Sequence, residues 1–514
     1  MDEKKLELNK VTYQPNENVD ILIDPKTEKL ALIILGVCLL LGGLGVFLFD
    51  GESWGLNIPI FGFVLVGSLL LFRQFSEQAL STTEYLLIAT ALFFVLMLAW
   101  RDSQVLNGLS LLGFLLTMIL AYTLGTRESL EHTYVSETLQ DFYLLSRYSI
   151  NSYSDLVHKD IEWTDVKRRW GQFGNAIFRG LIITVILLLV FGYLLTASDA
   201  RFEELISQLF DWNLDADKIF IYLISFGITS WISVAVLRGG VLLQASIVNQ
   251  EPALPDWKLG TIEIVMILTA LNLLFLSFII VQFTYFFGGD ALVQSPIKLT
   301  YANYAREGFF QLVTVVLLVL TLLLSTHWLY QPSTKFGKML YPILATSIII
   351  MTMIIEASAA HRMHIYTRVS GLTELRFYSS VFMLWLVILF IWFSLTVLRG
   401  QRQRFSFGAI LTGMILIGFL HIINPDARIA EFNLARLQNG QSFDVDYVSS
   451  LSADAVPSLL TALPELQQKQ QCRLWQKLKS HPIMEASKNW RGFNLDRNMA
   501  QNLLELSSPP NCKY

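Results

Sequence analysis

Apolar runs long enough to cross a lipid bilayer recur along this chain, and no other property limits its fold so tightly. Leu30–Phe49 is twenty residues without a charge, enough at about 1.5 Å per residue to cross a hydrocarbon layer of about 30 Å. Further runs at Leu56–Phe72, Tyr85–Trp100, Leu106–Leu124, Ala176–Thr196, Ile219–Leu237, Thr261–Phe287, Phe309–Trp328, Met339–Ile355, Phe377–Leu398 and Phe405–Ile423 bring the expected number of spans to eleven. The third and ninth are short for a full crossing. The fold class expected is an all-α integral membrane protein: a polytopic helical bundle with a small, mostly helical extracytoplasmic C-terminal region.

Composition agrees. Charged residues make up 16% of the 514, against about 25% in soluble domains. With a net charge of -4 and no dense basic run, nothing is suited to a phosphate backbone, so nucleic acid is set aside as a partner. Membrane lipid is the expected surrounding, with a small solute or another protein as further partners.

Residues 1–29 are polar and of mixed charge, and are expected to form a cytosolic tail rather than a cleaved signal. Residues 30–124 hold spans one to four, and 176–423 hold spans five to eleven. Between them, residues 125–175 are too charged to cross. They are expected to form a cytosolic loop with an interfacial helix, anchored by Trp163 and Trp170 beside the basic run at 167–169. With the N-terminus inside, the inner loops together with Lys26 and Lys29 carry 16 Lys and Arg and the outer loops between spans 8, which favours that orientation in a bacterial inner membrane. An odd number of spans then puts residues 424–514 in the periplasm. There Cys472 and Cys512 are able to pair, a link worth roughly 2–4 kcal/mol, while Cys38 sits in the first apolar run as a packing residue.

Charge near a membrane-length segment is costly unless paired or wetted. Arg306, Glu307, Glu356, His361, Arg362 and Arg376 flank spans eight to ten, and are expected to converge in one polar cluster at the external rim. Glu263, Asn272 and Gln282 in span seven, with Asp290 beyond it, are candidates for a transport path. HExxH, GxSxG and phosphate-binding glycine loops are absent, so no metal, cofactor or catalytic residue is assigned.

The segments YANYAREGFFQL at 301–312, SAAHRMHIYTRVSGLTELRFYSSVFMLWL at 358–386 and NPDARIAEFNLAR at 424–436, followed by YVSSLSADAVPSLL, resemble a family of bacterial multi-pass membrane proteins catalogued only as a domain of unknown function. The resemblance runs from Ala176 to Leu466. It singles out Tyr301, Tyr304, Arg306, Glu307, Arg362, Tyr366, Gly371, Thr373, Arg376, Asn424, Asp426, Asn433 and Arg436, and implies no established reaction. Three functions stay open: a transporter or permease-like protein, a scaffold or sensor that binds a partner through its periplasmic region, and an intramembrane enzyme acting on lipid near Ser358 and His361.

Overall fold

Backbone polar groups in lipid have no water to bond, so an apolar run satisfies itself by forming a helix. The computed structural model describes residues 25–50, 53–78, 80–124, 135–161, 180, 183–184, 216–242, 258–287, 309–330, 335–401, 404–481, 489–510 and 512. Its helices are α1 (Pro25–Phe49), α2 (Asn57–Phe75), α3 (Thr82–Met97), α4 (Gln104–Leu124), α5 (Val135–Asp155), α6 (Ala216–Val241), α7 (Thr261–Phe287), α8 (Phe309–Leu329), α9 (Lys335–Ser370), α10 (Glu374–Thr396) and α11 (Arg404–Ile423). Beyond them lie α12 (Pro425–Gln438), α13 (Val445–Ser449), α14 (Val456–Ala462), α15 (Gln468–Lys479) and α16 (Leu495–Leu506).

Among the described residues nine helices are long and apolar enough to cross a membrane, and α3 is a shorter apolar helix of 16 residues. The expected fifth span, Ala176–Thr196, lies outside the described residues except at 180, 183 and 184. The ninth span was expected to end at Ile355. Instead α9 continues unbroken through Glu356, His361 and Arg362 to Ser370, 36 residues in all, because a charge ends an apolar run without ending a helix. The segment read as an external loop at 356–376 is therefore mostly helix.

Two apolar cores fill the bundle. One joins α1, α2, α3, α4 and α6 through residues such as Ile34, Leu65, Ile88 and Leu237; the other joins α7 to α10 through Leu268, Leu323, Ile348 and Phe390, with Phe405 closing it. Small residues set the α1–α6 distance. A Cβ at Gly42 would lie 2.0 Å from Ser230 Oγ, and one at Gly45 2.4 Å from Thr229 Oγ1, so these helices pack by close backbone approach. Near the N-terminal face Gln78 Nε2 donates to Val241 O (3.1 Å). There Arg238 is paired with Asp155, the last residue of α5, and with Asp160 just beyond it. The expected interfacial helix thus packs its final turns against α6, where Trp231 Nε1 donates to Ile150 O (3.4 Å).

A third core lies after α11, where Ile429, Val448, Val456, Leu459, Leu474 and Leu504 pack together. This C-terminal region sits on the face of the bundle opposite the start of α1. It is bonded to the α1–α2 turn through Leu56 N and Phe493 O (2.9 Å), and to the α3–α4 turn through Leu495 N and Ala99 O (2.8 Å). Cys472 and Cys512 form a disulfide, with their Cα atoms 5.8 Å apart, so the chain end is tied back to α15.

Candidate functional site

The turn from α9 to α10 is three residues long, and Gly371 carries it at φ +83°, a conformation costly for any residue with a Cβ. Gly371 ends α9 in the manner of a glycine C-cap. Thr373 then caps α10 through its side chain, and Tyr447 OH accepts from Glu374 N (2.7 Å). Two residues of α12 clasp this turn. Asn433 Oδ1 accepts from Leu372 N (3.1 Å), while Asn433 Nδ2 donates to Leu372 O (2.8 Å). Arg436 donates from Nε to Arg368 O (3.1 Å) and from Nη2 to Val369 O (2.8 Å), satisfying carbonyls left open in the last turn of α9.

Arg376 reaches the same turn from α10. Its guanidinium lies over the Tyr366 ring, 3.8 Å from the centroid, and donates to Ser370 O (3.1 Å) and Gly371 O. Burial, with the neighbouring Arg376 charge adding to it, lowers the pKa of Arg436 from its ordinary value. Above the turn opens a cavity of about 660 Å³, walled by Thr373, Arg376 and Arg436 on the bundle side and by Phe443, Tyr447, Lys469 and Arg473 on the other.

Beside this cavity the C-terminal region is fastened to the α3–α4 turn by a buried charged seam. Arg101 donates from Nη1 to Asp496 Oδ2 (2.6 Å) and from Nε to His421 O (2.9 Å). Asp102 accepts from Arg497, and its own backbone N–H donates to Asp454 Oδ1 (2.9 Å). Asp426 accepts from the N–H and hydroxyl of Ser452. Burial pushes both the Asp426 and Asp454 carboxyls above their usual range; at Asp454 the nearby Asp496, Asp426 and Asp102 add to it. Asn424, at φ +56°, caps α12 and donates from Nδ2 to Asp454 O (3.3 Å).

Of the residues expected to form one polar cluster, Arg306 and Glu307 lie outside the described residues, as do Tyr301, Tyr304 and Asp290. Glu356 is 3% exposed, and neither of its carboxylate oxygens has a hydrogen-bond partner among the described residues. Arg376 lies over Tyr366, ten residues or about 15 Å further along α9. His361 is exposed and Arg362 half-buried. Of the path candidates, Glu263 is exposed in the first turn of α7, and Asn272 donates to Leu268 O (2.7 Å) and Leu344 O (3.2 Å). The side chain of Gln282 is outside the described set. Sequence reasoning did not find Lys469, Arg473, Asp454, Asp496 or Arg497. Their partners lie far away in the chain, and only the pair Arg101–Asp102 beside Trp100 signalled that this turn carries charge.

A helical bundle crossing the membrane many times, closed on one face by a helical region that frames a polar cavity, defines a multi-pass membrane protein. The chain belongs to the family described as Domain of unknown function (DUF4153), whose profile matches residues 87–462. The match begins well before Ala176, so the bundle from α3 onward is part of the family. No curated protein and no solved structure matches the chain.

Proposed function

We propose that this protein is a sensor or scaffold of a bacterial inner membrane, with its N-terminus in the cytosol, whose periplasmic C-terminal region binds a partner in the 660 Å³ cavity. The observation that carries this reading is the convergence of Thr373, Arg376, Asn433 and Arg436, from two separate family-like segments, on the floor of that cavity, with Gly371 packed against Asn433 and Arg436. The Cys472–Cys512 disulfide supports the orientation, since such links persist in oxidising compartments. The basic residues concentrated in the inner segments support it independently.

A second reading, proton-coupled transport, is kept by Glu356, since a buried carboxyl without a partner among the described residues, inside a membrane-length helix, is a functional candidate by default. Flux in proteoliposomes under pH and ion gradients separates the two. The binding reading expects no flux, together with capture of an occupant by a photo-crosslinker placed at Ser442 on the cavity wall. A flux that disappears in a folded Glu356→Gln variant overturns it in favour of transport.

A further inference from the structure

Charge around the cavity is unevenly compensated. Asp446 is taken by Arg473 (Nη2 to Oδ2, 2.5 Å) and Lys477 (3.7 Å), and Asp444 caps α13 by accepting from Tyr447 N (3.1 Å). The cations of the floor have no such acids among the described residues. Every hydrogen bond recorded for Arg376 and Arg436 goes to a neutral oxygen: the carbonyls of residues 368–371 and Gln441 Oε1. Lys469, on the opposite wall, has no hydrogen-bond or ion-pair partner among the described residues. Three cationic side chains from α10, α12 and α15 therefore face a space in which, among the described residues, the one carboxylate not taken by a cation is that of Asp444, and positive charge is in excess.

A phosphate monoester carries up to two negative charges and three acceptor oxygens, and a phosphodiester one charge and two such oxygens; guanidinium forks and an ammonium recognise both. The volume is also far larger than an inorganic ion needs and lies in the range of small-molecule sites. On the same wall Gln470 Oε1 is shielded from solvent and accepts no hydrogen bond among the described residues, so an occupant that donates a hydroxyl proton there would remove a buried unsatisfied acceptor. The turn beneath the cavity is flanked by two apolar residues, Val369 and Leu375, that are 51% and 64% exposed.

We infer that the cavity binds an organic phosphate bearing hydroxyl groups, held by Arg376, Arg436 and Lys469 with Gln470 accepting from a hydroxyl. This inference rests on the binding role proposed for the same cavity. The chemistry is shared by two sources, a phosphoglycerol lipid headgroup and a soluble polyol phosphate. The family match ends at residue 462, so Lys469 and Gln470 belong to a wall beyond it, and the match alone does not extend this ligand to other members.

Calorimetric titration of the full chain in neutral detergent tests this with two probes, dihexanoylphosphatidylglycerol below its micelle threshold and glycerol 3-phosphate. Saturable binding of either is expected; binding of the lipid alone assigns a headgroup, and equal binding of both assigns a soluble phosphate. Lys469→Glu places the charge reversal at an exposed, unpaired side chain and leaves the fold intact, and it should weaken binding at least about ten-fold. Absence of saturation with both probes, or unchanged binding in Lys469→Glu, overturns the inference. Flux in proteoliposomes reports separately on the binding role: a chain without flux whose Ser442 crosslinker captures a phosphate-free occupant keeps that role and loses this ligand. A chain that binds phosphate and carries it across keeps this ligand and loses that role.

Discussion

Gly371 joins two requirements at one position: a left-handed backbone, and contact with Asn433 Oδ1 and Arg436 Nη1 at 2.5 and 2.7 Å from where a Cβ would stand. Gly371→Ala is therefore expected to cost about 1–3 kcal/mol and to loosen the clasp of α12. Faster hydrogen exchange at Leu372 and through α12, with the rest of the bundle unchanged, is the measurement that checks it. At Asp454 the expectation concerns pH. Its carboxyl stands well above the ordinary 3.8, through burial first and then through Asp496, Asp426 and Asp102; Arg101 and Arg497 are the cations bonded to two of these acids. The folded chain holds this proton more tightly than the unfolded one does. Its contribution to stability is thus complete below about pH 4 and is lost as pH rises through the raised folded value. Protection factors for residues 452–455 and α16 should fall across that rise. Asp454→Asn, which keeps an acceptor for Asp102 N, should flatten the dependence; an unchanged slope would count against it.

Between elements, the α2–α3 turn depends on a buried ion pair, Arg73 Nη1 to Glu84 Oε1 at 2.8 Å, with both side chains under 5% exposed. Removing one member strands the other charge, so Arg73→Met is expected to cost about 3–5 kcal/mol, whereas adding Glu84→Gln should recover much of the loss. Thermal inactivation of the single and double variants in detergent measures this, and simple additivity would refute the coupling. The capping box survives in Glu84→Gln, because Glu84 Oε2 accepts from Ser81 N (2.7 Å) and a glutamine oxygen can do the same. The spans were legible from sequence because length and the absence of charge are local properties. The overrun of α9 was not: Glu356, His361 and Arg362 interrupt hydropathy but sit among Ala357, Ala359 and Ala360, strong helix formers. The real stop was the glycine fifteen residues later. Half the site was legible through the residues that the resemblance singled out at the α9–α10 turn and in α12. The wall from α15 and the seam of Arg101, Asp102, Asp496 and Arg497 were not, since pairing across 395 residues leaves no periodic trace.

At the scale of the molecule, the start of α1 and the C-terminal region occupy opposite faces, and reporter fusions after Ser76 and after Phe443 should report opposite compartments. Non-reducing peptide mapping of protein blocked before lysis should recover Cys472 joined to Cys512, and free thiols at both would contradict it. The seam has a consequence for how the protein is made. Arg101 and Asp102 emerge early from the ribosome, yet their partners Asp496 and Arg497 come nearly four hundred residues later. Until that last stretch has been made, the α1–α2 and α3–α4 turns lack these partners, and Leu56 N and Ala99 O wait for Phe493 and Leu495. The end of synthesis is thus the moment when the first-made helices gain their lid, and a nascent chain stalled before α16 would present quality-control proteases with an open bundle.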